Sequence, residues 1–428
     1  MEELMRGRGI LIITILGWAL AIVLALVIVN REWLSAAPQA SQPLPRPQAE
    51  AAVVTKPGQR TVYFPGTEEL AQDEMRIVAC GTGNPVPRLK QAAACFLVQL
   101  GNGDNFVFDM GSGSAERLAS LDVPYDKLDK VFIGHLHLDH VGDLPSFYFT
   151  RAVNQGRTRL RVWGPSGVKP EWGMKAAMEN MKAMYGWESA MRGALMGTPE
   201  LEVNEFDWTG INQIIYNENG VIVRSIPALH GDQSVSFILE WNGLRMAYSS
   251  DTMPNKWWCE HTKGVDVAIH EAFYTVEGLI ANAHFTPLEA LNVGTRVHTP
   301  PQGFGKVMDI TRPRLAIAYH LPTDISAQFM IRDGIREYYD GPLDLADDFM
   351  VWNVTKESIR NRMAVPNPWH VMQASELPRV PGDPDSYTPT ELTRSGVEPA
   401  YLPVVMKIYR DFNSKYGTNY KPGSTAEK

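Results

Sequence analysis

Residues 130–145 read KVFIGHLHLDHVGDLP. A short apolar strand runs into a turn carrying His135, His137, Asp139 and His140, four metal-ligand side chains within six residues. On a strand end, alternation points His135 and His137 to one side, and a turn into a helix brings Asp139 and His140 round to an adjacent point. Two metal ions a few ångströms apart can be held this way. Imidazole nitrogen and carboxylate oxygen suit zinc and do not exclude iron or manganese.

Two ions need more ligands, and further strand ends supply them. His230 ends VIVRSIPALH, Asp251 ends LRMAYSSD and His320 ends RLAIAYH, each where a strand delivers a side chain to one edge of a sheet. Taken singly, each reads as an ordinary strand-end residue; following HLHLDH in succession, they read as the rest of a two-metal site.

Outward from these segments the same strand-then-turn form recurs in MRIVACGTG (75–83), ACFLVQL (94–100) and FVFDMGSGS (106–114). Residues 171–197 are Ala- and Met-rich at helical spacing, a pattern that fits a soft hydrophobic binding lid but more often marks core-filling methionine. Strand patterns then return, so helices and strands alternate in an α/β layer arrangement. The catalytic domain is expected over 71–375, followed by a C-terminal extension over 376–428. That extension is proline-rich and then amphipathic near Leu402 to Phe412.

The N-terminal part is of another kind. After a short tail over 1–9, residues 10–29 (ILIITILGWALAIVLALVIV) form an uninterrupted apolar run long enough to span a hydrocarbon core as a single transmembrane helix. Asn30, Arg31 and Glu32 follow before any small-residue cleavage site, which favours a retained anchor over a cleaved signal. Arg6 and Arg8 lean the N-terminus toward the cytoplasm, and the catalytic domain toward a periplasmic or extracellular location. Residues 30–70 read as a Pro/Ala/Gln-rich linker.

The 428 residues are 44% hydrophobic and 21% charged, which excludes wholesale disorder. A formal net charge of -8 leaves no global basic field for a nucleic-acid backbone. Three cysteines (Cys80, Cys95, Cys259) without a CxxC pair give neither a disulfide framework nor a structural zinc site.

HLHLDH followed by His230, Asp251 and His320 resembles the metallo-β-lactamase fold superfamily. CGTGNPVPR (80–88), FVFDMGSGS, HLHLDHVGDLP, VWGPSG (162–167), PALHG (227–231), YSSDT (248–252), IHEAFY (269–274) and AHFTPLEA (283–290) are similar to its tRNase Z and arylsulfatase-like branch. Membrane-anchored relatives described as guanitoxin-biosynthesis metallohydrolases look similar too. The resemblance, over about residues 75 to 325, implies an αββα sandwich and two Zn2+, other divalent transition metals being allowed. It implies that His135, His137 and His230 hold one metal, that Asp139, His140 and His320 hold the other, and that Asp251 bridges them. In that branch a histidine acts at the leaving group, and the matching position is His284. Thr286, Pro287 and Glu289 there form an N-cap, N1 proline and N3 acid that start a helix. Glu271 is placed to hydrogen-bond His284 or a ligand histidine, and Asp139 to orient the nucleophile's proton.

The implied activity is hydrolysis of a small phosphodiester or aryl sulfate ester by metal-bound hydroxide. One alternative is a tRNase Z-like 3′-tRNA processing endoribonuclease. The resemblance disfavours it, because the long basic arm of tRNase Z has no room between His230 and Asp251. A nucleic-acid partner is therefore not expected. The other alternative is a non-catalytic binding module on the same fold. Analogy with relatives allows a homodimer.

Overall fold

The computed structural model describes residues 61–369, 374–378, 390–391 and 398–421. The apolar run 10–29 lies outside the described residues, and among those described no helix is long and apolar enough to cross a membrane. Two compact units are present. One holds residues 61–186 and the described residues of 199–378; the other holds 187–198 with the described residues from 390 onward, including the helix Leu402–Tyr416.

The larger unit is built on two sheets. The first has nine strands in the order Val62–Tyr63, Ile359–Ala364, Met350–Val354, Met75–Gly81, Cys95–Leu100, Asn105–Phe108, Lys130–Phe132, Leu160–Pro165 and Leu201–Phe206. The second has seven, in the order Leu343–Leu345, Leu315–Tyr319, Val267–Glu271, Leu244–Tyr248, Val235–Trp241, Val221–Pro227 and Gln213–Glu218.

Alternation along the strands decides what each sheet face meets. Ile77, Ala79, Phe96, Val98, Phe106 and Phe108 share one core with Val223, Phe237, Leu239, Met246, Ile269 and Ile317 of the second sheet. Their neighbours Val78, Cys80, Cys95, Leu97 and Val107 point the other way, into a core shared with Leu118, Leu144, Phe147, Met174, Met178 and Met181 from helices. The methionines of 171–197 that are buried are thus core filler. On the far side of the second sheet, Ala247, Ala268, Ala316 and Ala318 pack against Trp258, Phe304, Val307, Ile331 and Ile335 from three further helices. The order helix, sheet, sheet, helix is the αββα sandwich expected. Strands covered on both faces are buried at every position, as MRIVACG and VAIHE are, and their polar members Arg76, His270 and Glu271 are each hydrogen-bonded.

One boundary moves. Residues 61–70, read from composition as the end of the linker, join the sandwich: Val62 and Tyr63 pair in parallel with Met363 and Ala364. Glu68 lies buried between Arg76 and Arg362. Pairing across some three hundred residues leaves no local mark.

Strand direction places the site. Leu244–Tyr248, Val267–Glu271 and Leu315–Tyr319 are mutually parallel. Val221–Pro227 runs the same way, through two antiparallel neighbours. All four therefore release their chain at one edge, and the loop after Lys130–Phe132 reaches the same edge: Val235 N donates to Gly134 O at 3.0 Å.

Candidate metal centre

At this edge the chain leaves regular structure to present its ligands. The strand ends at Phe132, one residue earlier than the apolar pattern suggests, and His137 caps a one-turn helix, Leu138–Val141, that carries Asp139 and His140. Gly134 is required because a Cβ there would stand 2.2 Å from Ser250 Oγ. Asp109, Ser250 and His320 all hold left-handed backbone conformations (φ 58°, 49° and 65°), uncommon for side-chain-bearing residues and here gathered around one site.

All seven ligands expected from the sequence are brought together. His135, His137 and His230 form one group, and Asp139, His140, Asp251 and His320 another. In the first, His137 Nδ1 lies 3.0 Å from His135 Nε2 and 3.1 Å from His230 Nε2. Nitrogens around a tetrahedral zinc, with Zn–N of about 2.0–2.1 Å, sit roughly 3.3 Å apart. The ring orientations agree with that use. His230 Nδ1 donates to Val297 O at 2.8 Å, which leaves Nε2 with its lone pair toward the group. His140 Nδ1 is likewise held by Asp109 Oδ2 at 2.6 Å, and Asp109 also accepts from Tyr248 Oη and from the Gly134 amide.

Asp251 stands between the groups. Its Oδ1 is 3.1 Å from His140 Nε2, and its Oδ2 is 3.4 Å from His320 Nε2, 3.7 Å from His230 Nε2 and 4.0 Å from His135 Nε2. The buried His140 Nε2 and Asp251 Oδ1 have no hydrogen-bond partner among the described residues. Buried polar atoms are seldom left so, and a cation between them satisfies both. The donor set, five imidazoles and two carboxylates, fits two divalent transition metals. His137 is exposed while the second group is buried, so the site opens on the His137 side.

The charges are strongly coupled. Burial raises the Asp251 carboxyl, but the imidazoles of His140 and His320 outweigh it and hold the group well below the carboxylate range. Burial lowers His140, yet Asp251 and Asp109 together push it well above its ordinary value. His135 is depressed by burial and by His140, and His230 is lowered to about 4, chiefly by burial.

His284 does not join the cluster. It is the exposed left-handed C-cap of the helix Val276–Ala283, at the turn before the helix Pro287–Arg296. The capping box of Thr286 and Glu289 forms as expected. The turn it fixes leaves the preceding histidine at the surface.

His298 is drawn into the site instead. Its Nδ1 lies 2.9 Å from Glu271 Oε2 and 3.8 Å from Asp251 Oδ2, and its ring stacks 4.0 Å from Phe273 and 5.3 Å from His320. Asp251, Glu271, His298 and His320 make a third group with converging ligand atoms. Of the two partners expected for Glu271, His284 and a ligand histidine, the structure gives it neither as a hydrogen bond: it pairs with His298, and its Oε2 lies 3.7 Å from His320 Nδ1. Its carboxyl is pushed well above the usual range by burial and by the charge of Asp251. His298 follows a helix, not an apolar strand, so a search of strand ends passes over it. The Val-His-Thr-Pro-Pro stop after that helix is the signal that marks it.

A family profile described as "Anti-Pycsar protein Apyc1" matches residues 75–299, just over half of the chain. Among curated proteins, a Ribonuclease Z of Mycobacterium avium is 27% identical over 201 residues, 46% of this chain and 69% of that protein. A Ribonuclease Z of Mycobacterium marinum is similar to the same degree, with 70% of its length covered. Among solved structures, the metallo-beta-lactamase fold protein YhfI from Bacillus subtilis superposes with a TM-score of 0.51 at 17% identity, over 66% of this chain and 100% of that one. That likeness shows the fold.

Proposed function

The chain belongs to the family described as Anti-Pycsar protein Apyc1, on a metallo-β-lactamase fold of the tRNase Z-like branch, and from that premise we propose that it is a metal-dependent hydrolase of a small phosphodiester. The observation that carries this reading is the convergence of two ligand groups on the single carboxylate of Asp251. His135, His137 and His230 would hold one cation, and Asp139, His140 and His320 the other, with Asp251 shared; zinc is the ion the donors suit best. Paired cations supply water activated near neutral pH and stabilisation of charge on the reacting oxygens.

The protein's own residues do the rest. Asp109, Val297 O and Ser250 fix the ring orientations of His140, His230 and His135. His298, aligned by Glu271, replaces His284 as the residue placed to pass a proton to the departing oxygen. Asp139 Oδ2, 3.1 Å from His320 Nε2, lies inside the cluster, where a carboxylate can orient the proton of an attacking water.

The test is turnover of bis(p-nitrophenyl) phosphate and p-nitrophenyl sulfate by the zinc-loaded protein, beside Asp251→Ala. Diester turnover that falls by about a thousandfold or more in the variant, together with lost zinc, is expected on the scale at which such groups contribute. Full activity in Asp251→Ala would overturn the reading, and a preference for the sulfate would move it to an aryl sulfatase.

The same proposal includes attachment to a membrane through residues 10–29, with the hydrolase outside the cytosol and self-association as a homodimer. A second reading, a tRNA 3′-end endoribonuclease, is favoured by the likeness to the two Ribonuclease Z proteins. Binding of tRNA with a steep salt dependence would bring it forward.

A further inference from the structure

The loop over residues 84–91, NPVPRLKQ, is tied to the backbone around His320, and it holds a cation with no carboxylate partner among the described residues. Arg88 is half-buried, and no carboxylate pairs with it among the described residues. Its Nη1 donates to Asn84 Oδ1 at 3.0 Å, Val86 O at 3.2 Å and Gln91 Oε1 at 3.4 Å, and its Nη2 to Tyr274 Oη at 2.7 Å. Four neutral acceptors fix the guanidinium without neutralising it, and Nε makes no hydrogen bond among the described residues. Asn84 is 3% exposed, its Oδ1 is taken by Arg88 and the Val86 amide, and its buried Nδ2 has no partner among the described residues. A buried amide donor left idle beside an uncompensated arginine is the chemistry of an anion site.

The loop is tied to the centre from two sides. Tyr274 packs edge-on against Phe273 at 5.3 Å, and Phe273 stacks on His298 at 4.0 Å and on His320 at 5.5 Å. On the other side Gln91 Nε2 donates to Leu321 O at 2.9 Å and to Thr82 Oγ1 at 3.1 Å, while His320 N donates to Thr82 O at 2.8 Å. Pro85 and Pro87 stiffen the loop, so the guanidinium is held in place before any substrate arrives.

We propose that Arg88 and Asn84 form an anion-anchoring subsite beside the metal centre, which binds a non-reacting oxygen of an anionic phosphoester and selects such esters over neutral ones. This rests on the hydrolase reading above. Arg88 and Asn84 bind substrate; Tyr274 and Gln91 position Arg88.

The test compares the full chain, zinc-loaded, with Arg88→Gln and Arg88→Lys. Readouts are the calorimetric Kd of inorganic phosphate, KM and kcat on bis(p-nitrophenyl) phosphate and on the neutral p-nitrophenyl acetate, bound zinc, and the thermal midpoint. Losing a charge-assisted contact should raise the phosphate Kd and the diester KM about tenfold or more in Arg88→Gln. The acetate KM, the diester kcat and the zinc content should hold, and Arg88→Lys should fall between, keeping charge without the planar fork. Phosphate Kd and diester KM within twofold of wild type in a folded, zinc-replete Arg88→Gln would overturn the subsite, as would wild-type protein that does not bind phosphate. If Arg88→Gln fails to fold, Arg88→Lys carries the same comparison. Wild-type protein that binds phosphate through Arg88 but turns over no diester would sink the hydrolase reading and leave the subsite standing.

Discussion

Two histidines that sequence reasoning could exchange are separated by their surroundings. His298 is buried against Phe273 and aligned by Glu271 within 3.8 Å of Asp251, while His284 is exposed on a turn. His298→Ala should lower kcat on a phosphodiester by roughly a hundredfold or more, the usual contribution of a proton-transferring side chain, with His284→Ala within about threefold of wild type. Steady-state kinetics of the pair checks this, and the opposite ranking would restore the family's motif position. A third histidine governs stability. His270 is buried between Trp258 and Phe304 with Nδ1 donating to Glu271 O at 2.8 Å, and burial lowers its pKa from 6.5 to about 4. A depressed folded-state value means that stability is complete above the unfolded value and drains away as pH falls from 6.5 toward 4. The loss reaches about 3 kcal/mol at 1.36 kcal/mol per unit. Urea unfolding across that range should show His270→Phe with a flatter profile than wild type.

Local sequence was most readable where one element fixes its own geometry. The capping box at Thr286, with Pro287 at N1 and Glu289 at N3, is visible in four letters, and the helix Pro287–Arg296 starts where they say. Thr286→Ala should destabilise that helix by about 1 kcal/mol, seen as faster amide exchange in its first turn. The convergence of the seven candidate ligands was legible for a related reason: they stand past the ends of apolar strands, and parallel strands release their chains at one edge. His298 and Asp109 were not, for two different reasons. His298 arrives from a helix C-terminus. Asp109 follows a strand, but its part is to orient His140, and only the folded structure reveals that partner. The role proposed for Arg88 likewise rests on the folded structure, in which no carboxylate among the described residues pairs with it.

Long-range pairing is where composition misleads most, and the start of the folded unit shows it. A boundary at residue 71, drawn from the Pro/Ala/Gln-rich stretch, would remove the Val62–Tyr63 strand and Glu68 together. Glu68 is buried and accepts two bonds from Arg362, at 2.8 and 2.7 Å, and lies 3.5 Å from Arg76, whose Nη1 donates to Tyr63 Oη at 3.0 Å. Both guanidiniums are themselves almost wholly buried. Without Glu68, Arg362 would keep Asn353 Oδ1 as an acceptor, and neither guanidinium would have an ion-pair partner among the described residues. Breaking a buried pair by removing one partner costs about 3–5 kcal/mol, since the stranded charge stays desolvated. That is a large share of the roughly 5–15 kcal/mol that holds a domain folded. A protein beginning at residue 61 should therefore unfold cooperatively and bind zinc, while one beginning at 71 should lose several degrees or more in Tm or fail to accumulate. Glu68→Gln in the longer form separates the two contributions. If its Tm falls nearly as far as that of the form beginning at 71, the ion pairs and not the short strand hold the N-terminal edge; if it barely moves, the strand does.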